Sequence, residues 1–126
     1  MNRFHRSSLA LVLAAALTAC GGTAAANPSA DASAADATLT AVDMAFGSAT
    51  LAAPADEAFT LAFVNEDGMP HNLAIYTDAS KSTKLFEGDL VTDGTIVYEI
   101  PALTAGEYFF ECSLHPGMTG RLVVGG

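Results

Sequence analysis

Cysteine, histidine and cationic residues are all scarce in this chain of 126 residues, which has two Cys, three His and five Lys or Arg. Cys20 and His5 fall in an N-terminal segment of signal character. The remainder therefore carries one thiol, Cys112, and two imidazoles, His71 and His115. A single thiol excludes an internal disulfide, and a small exported domain without one commonly leans on a metal instead. Cations are the second shortage. Without Arg3 and Arg6, only Lys81, Lys84 and Arg121 oppose fourteen acidic side chains, a formal balance of −11. Such a surface repels nucleic acid and favours cationic partners, besides keeping the protein soluble. Helical periodicity is missing too, since no segment sustains a 3.6-residue apolar repeat. The apolar run from Leu9 to Leu17 is too short to span a bilayer comfortably.

That run comes after Arg3 and Arg6, the pattern of a secretory signal. It ends in Leu17-Thr18-Ala19-Cys20, which resembles the lipobox of bacterial lipoprotein precursors. The resemblance implies a signal peptide over 1–19, cut before Cys20, and lipid on the new N-terminal cysteine. An ordinary cleaved signal with an incidental cysteine is the alternative. Several acyl chains, at roughly 0.8 kcal/mol per buried CH₂, make such an anchor effectively permanent. Residues 20–37 add, after Cys20, a tether almost wholly of Gly, Ala, Ser, Thr and Asp with one Asn and one Pro, which cannot bury enough apolar surface to order itself. The expected location is extracytoplasmic, lipid-anchored to the cell envelope, in the periplasm or on the outer surface.

Residues 38–126 are enough for one small domain. Period-2 alternation predicts strands at Leu39–Phe46, Phe59–Asn65, Asn72–Tyr76, Thr95–Ile100, Glu107–Cys112 and Gly120–Val124, with Thr50–Ala52 a further short one. Turn chemistry punctuates them at Gly47-Ser48, Glu66-Asp-Gly68, Asp93-Gly94 and Ala105-Gly106. Thr77–Val91 is polar and breaks the rhythm, so a short helix or an irregular excursion is expected there. Many short strands at regular spacing predict an all-β fold, a two-sheet antiparallel Greek-key sandwich. In Glu107-Tyr-Phe-Phe-Glu-Cys112 alternation turns Tyr108, Phe110 and Cys112 inward and leaves Glu107, Phe109 and Glu111 on the wetter face.

The residues that bear chemistry converge near the C-terminus. Cys112-Ser-Leu-His115-Pro-Gly-Met118 places a thiolate, an imidazole and a thioether within seven residues, and Met69-Pro-His71-Asn72 supplies a second imidazole. One Cys, two His and one loosely held Met is the donor set of a trigonal copper site with a long axial thioether. Each residue alone has a plain alternative as core or packing. Their coincidence in a chain so poor in both types is what points to a metal.

These segments resemble the cupredoxins, the small type 1 blue-copper proteins, over roughly Thr38 to Val124. Gly106 to Val124 is similar to their ligand strand, loop and last strand, and Pro70-His71-Asn72 to the loop bearing the first histidine. The C-x₂-H-x₂-M spacing is that of short-loop, amicyanin-like members, and Pro70 is found in plastocyanin-like ones. The resemblance implies one copper ion, with His71, Cys112 and His115 equatorial and Met118 axial. It makes Asn72 the residue that ties the histidine loop to Ser113, and His115 the ligand nearest solvent.

The function implied by the resemblance is that of a membrane-tethered carrier of single electrons, not an enzyme. Its expected partners are redox proteins such as a cytochrome or a membrane or copper oxidoreductase, and the expected state is a monomer. A copper storage or delivery protein without redox turnover is the competing reading, and a metal-free interaction sandwich is another. Met69, Pro70, Leu114, Pro116 and Gly117 form an expected apolar collar around His115. Glu66 and Asp67, just before the His71 loop, are expected to face a basic partner, with Asp78, Glu87 and Asp89 further carboxylates for steering it.

Overall fold

The structure, a computed structural model, describes residues 31–125. The signal peptide, Cys20 and the tether up to residue 30 lie outside them. Where the tether enters the described region it already has structure. Asp31 caps a 3₁₀ turn at Ala32–Ala34, its carboxylate accepting from the Ser33 amide at 3.0 Å. Asp36 then clamps the chain to Thr60, its Oδ2 accepting from the Thr60 amide at 2.7 Å and the hydroxyl at 2.9 Å.

Nine strands come next: β1 Ala37–Val42, β2 Ala45–Phe46, β3 Thr50–Ala53, β4 Phe59–Asn65, β5 Ala74–Tyr76, β6 Lys84–Glu87, β7 Gly94–Ile100, β8 Gly106–Cys112 and β9 His115–Val124. One sheet has the order β2-β1-β4-β7 and the other β3-β9-β8-β5-β6. The two-sheet β-sandwich is as expected, but the sheets are mixed. β1 pairs parallel with β4, and β3 parallel with β9. The chain changes sheets between such partners, so their direction is set by the crossover and not by a hairpin. Phe63 and Phe110, both 0% exposed, fill the space between the sheets with Leu39, Leu61, Ile75 and Leu122. Phe46 packs in T-shaped fashion against both rings. Burying side chains of this size stabilises the fold by about 1.5–3 kcal/mol each.

Four local readings need correction. The predicted strand Leu39–Phe46 is broken at Asp43 and Met44, whose φ values of 51° and 58° form a tight turn between β1 and β2. The polar stretch Thr77–Val91 holds a strand, β6, because the edge of β5 offers unpaired backbone groups to it. β9 starts five residues earlier than predicted, at His115, as the continuation of a tight hairpin from β8. Glu111 is buried, at 6% exposed, because Lys81 from the β5–β6 turn lies over it with a 3.2 Å ion pair.

Candidate metal centre

Register brings the two distant segments together. Ala74 of β5 pairs with Glu111 of β8, so the residues just before β5 run alongside those just after Glu111. His71 is fastened there by a bridge to Val91, with its amide donating to the Val91 carbonyl at 3.0 Å and its carbonyl accepting from the Val91 amide at 2.9 Å. Cys112 and His115 are cross-strand partners flanking the two-residue turn Ser113-Leu114. Both donors therefore sit at one sheet end, directly opposite His71.

The side chains meet. Cys112 Sγ lies 3.7 Å from His71 Nδ1 and 3.5 Å from His115 Nδ1. The donor atoms of the three residues lie within 4.8 Å of one another, and the two rings are 4.6 Å apart between centroids. His71 and Cys112 are 0% exposed, while His115 is half-buried at the surface. Two ligand bonds of about 2.0 and 2.3 Å meeting at a tetrahedral or trigonal angle span about 3.6 Å, so the sulfur–nitrogen separations suit donors that share one small ion. Among the described residues this is the one group of His, Cys, Asp or Glu with such spacing. Met118 points inward from β9, 2% exposed, in the same buried cluster as Cys112.

Hydrogen bonds hold the frame rigid. Asn72, 3% exposed, accepts from the Ser113 amide at 2.9 Å and donates to Ser113 Oγ at 3.2 Å and to the Gly88 carbonyl at 3.0 Å. Ser113 Oγ donates in turn to Glu87 at 2.6 Å. The Lys84 ammonium, and after it the Ser113 hydroxyl, hold the Glu87 carboxyl below the usual carboxylate range.

Two residues play a part here that sequence reading missed. Asn65, at the end of β4 and 1% exposed, donates from Nδ2 to the Met69 and Val91 carbonyls, both at 2.6 Å, and so shapes the His71 loop. Asp67, expected to face a partner, turns its carboxylate inward onto His71 Nε2 at 2.8 Å. A signal existed in both cases, since Asn and Asp beside a tight Gly turn bond back to local groups. Glu66 stays exposed as expected.

A family model described as a cupredoxin-like domain matches residues 9–124. The chain belongs to the cupredoxin family. Solved structures agree with that assignment. Amicyanin from Paracoccus versutus is 31% identical over 71% of this chain and 82% of its own, with a TM-score of 0.55. Auracyanin from Roseiflexus castenholzii is 17% identical over 70% of this chain and 94% of its own, with a TM-score of 0.61, a likeness of fold. An amicyanin variant solved as Cu(I) is 22% identical over 69% of this chain and 79% of its own, with a TM-score of 0.54. None of the curated proteins matches the chain. In this cupredoxin the His71–Cys112–His115 group fits one type 1 copper site.

Proposed function

We propose that this cupredoxin carries single electrons between redox proteins outside the cytoplasm, tethered to the cell envelope through Cys20. Copper held there would supply a one-electron couple in which two oxidation states share nearly one geometry. The protein's part is to keep that geometry fixed. In this reading His71, Cys112, His115 and Met118 would hold the copper, while Asn72 and Ser113 hold the two ligand segments in register. The observation that carries it is the meeting of both imidazole Nδ1 atoms on the one buried thiol. It transforms no substrate in this reading.

The surface around His115 supports docking. Met69 and Leu114 are 46% and 50% exposed, and Leu90 at 51% extends the expected collar of Pro70, Pro116 and Gly117. A shallow groove of about 430 Å³ adjoins it, lined by Glu87, Asp89, Leu90 and Leu114 among others. Apolar rims with carboxylates behind them suit a partner that presents an apolar patch ringed by Lys or Arg, such as a basic cytochrome or a copper oxidoreductase.

The test is visible absorption and electron paramagnetic resonance on the protein loaded with one equivalent of Cu(II). An intense blue or green band from thiolate-to-copper charge transfer is expected, and Cys112→Ser should abolish it while leaving the sandwich folded. Stoichiometric Cu(II) binding without that band refutes the reading.

A further inference from the structure

Asp67 lies four residues before His71, in the turn that leaves β4. Its side chain is 10% exposed, beside a His71 ring that is 0% exposed. One oxygen, Oδ2, accepts from two donors, the Met44 amide and His71 Nε2, each at 2.8 Å. The Asp67 amide donates to Asn65 Oδ1 at 3.0 Å, which fixes the backbone behind the carboxylate. The Met44 amide can only donate, so the oxygen shared between it and the ring is already an acceptor, and a carboxylate oxygen that takes two N–H bonds carries no hydrogen of its own. The hydrogen between Asp67 and His71 must therefore reside on Nε2.

The turn that presents Met44 is itself unusual. Asp43 and Met44 are consecutive non-glycine residues with positive φ, a costly backbone for a side chain as large as methionine. That backbone aims the Met44 amide at Asp67, so a strained turn on one side and Asn65 on the other grip a single carboxylate that in turn grips His71.

We propose that Asp67 is a positioning residue of the metal centre: it fixes the His71 ring with hydrogen on Nε2, leaves Nδ1 as the donor facing Cys112, and makes that donor more basic. The proposal rests on the reading of His71 as a copper ligand. A carboxylate that accepts from the far nitrogen of a ligand imidazole raises the electron density of the near one and sets the ring's orientation. A more basic donor favours the more highly charged ion, so Asp67 stabilises Cu(II) over Cu(I) and lowers the reduction potential.

Voltammetry on the copper-loaded full chain tests this, comparing the wild type with Asp67→Asn and Glu66→Gln. Asp67→Asn keeps an acceptor but loses the charge. It should weaken Cu(II) relative to Cu(I) about tenfold, within the range for such outer partners, which for a one-electron couple raises the potential by about 59 mV. Glu66→Gln removes the same formal charge from the adjacent exposed residue and should change that affinity ratio by less than about twofold, because water screens it. An unmoved potential in Asp67→Asn, or equal shifts in both variants, overturns the proposal. If Asp67→Asn does not fold, the wild type still decides. Nitrogen-15 resonance on the metal-free protein at pH 8 should find His71 protonated at Nε2 with a slowly exchanging hydrogen, and protonation at Nδ1 overturns the proposal. That measurement needs no copper, so it is independent of whether Cu(II) gives the blue band.

Discussion

Replacing Asn72 with alanine should cost this domain about 2–4 kcal/mol, and the structure shows where the loss arises. Asn72 satisfies three groups: the Ser113 amide, the Ser113 hydroxyl and the Gly88 carbonyl. Gly88 is buried, so its carbonyl is stranded in Asn72→Ala and bears the desolvation penalty of about 1–3 kcal/mol. Ser113 is exposed, so water replaces Asn72 at its amide and only the net bond energy of about 0.5–1.5 kcal/mol is lost. The hydroxyl keeps Glu87 as its partner and adds little. Against a typical total of about 5–15 kcal/mol this is a large fraction. With a urea dependence of about 2 kcal/mol per molar, the unfolding midpoint of the metal-free protein should fall by about 1–2 M. Ser113→Ala, which removes the hydroxyl alone, should cost less than about 1 kcal/mol. The same bonds hold the Cys112–His115 hairpin against the His71 loop, so copper should leave Asn72→Ala about 10–100 times more readily. A loss below about 1 kcal/mol, or equal losses in the two variants, would refute the assignment of Asn72 as the tie between ligand segments.

The geometry carries three other expected outcomes. Gly120 faces Phe110 across the β8–β9 pair, and a Cβ there would overlap the buried ring, so Gly120→Ala should destabilise by about 1–3 kcal/mol in urea titration. The Thr60 amide, and after it the Thr60 hydroxyl, hold the Asp36 carboxyl below its unfolded value of 3.8. A depressed folded value favours the folded state wherever the unfolded carboxyl is ionised, so this stabilisation is complete well above pH 3.8 and is lost as pH falls through 3.8 and below. Acid unfolding of Asp36→Asn should accordingly be less steep there than that of the wild type, and parallel curves would contradict it. Under the proposed function, the rate of electron transfer to a cationic partner should fall steeply between 0.01 and 0.1 M salt, as the screening length shrinks from about 30 to about 10 Å. Glu87→Gln with Asp89→Asn should flatten that fall, and a wild-type rate indifferent to salt would leave docking to the apolar collar alone.

Much of this protein is legible in one dimension, and the reason differs by element. Alternation predicts β4 residue for residue and β7 and β8 to within one, because it reports a backbone with one face on a core. The Cys112–His115 half of the His–Cys–His group is legible because the two residues fall within a single short segment, where spacing constrains geometry. His71 can be nominated by scarcity of histidine, but its place beside Cys112 depends on β5 pairing with β8. The parallel pairs β1–β4 and β3–β9 leave no local mark, since pairing direction between distant strands is set by how the chain crosses between sheets. β6 is hidden because an edge strand is half solvated and lacks an apolar stripe. Glu111 shows the limit of alternation, which assigns a face but cannot tell that Lys81 will cover it. Asp67 shows the limit of reading charge. As a residue in a turn it looks like a surface carboxylate, and only the fold brings the Met44 amide and His71 Nε2 to the same oxygen. Composition and local spacing determined that a copper-type donor set exists on a β-sandwich. Which carboxylate steadies it, and which face it opens to solvent, was decided by contacts between residues far apart in the chain.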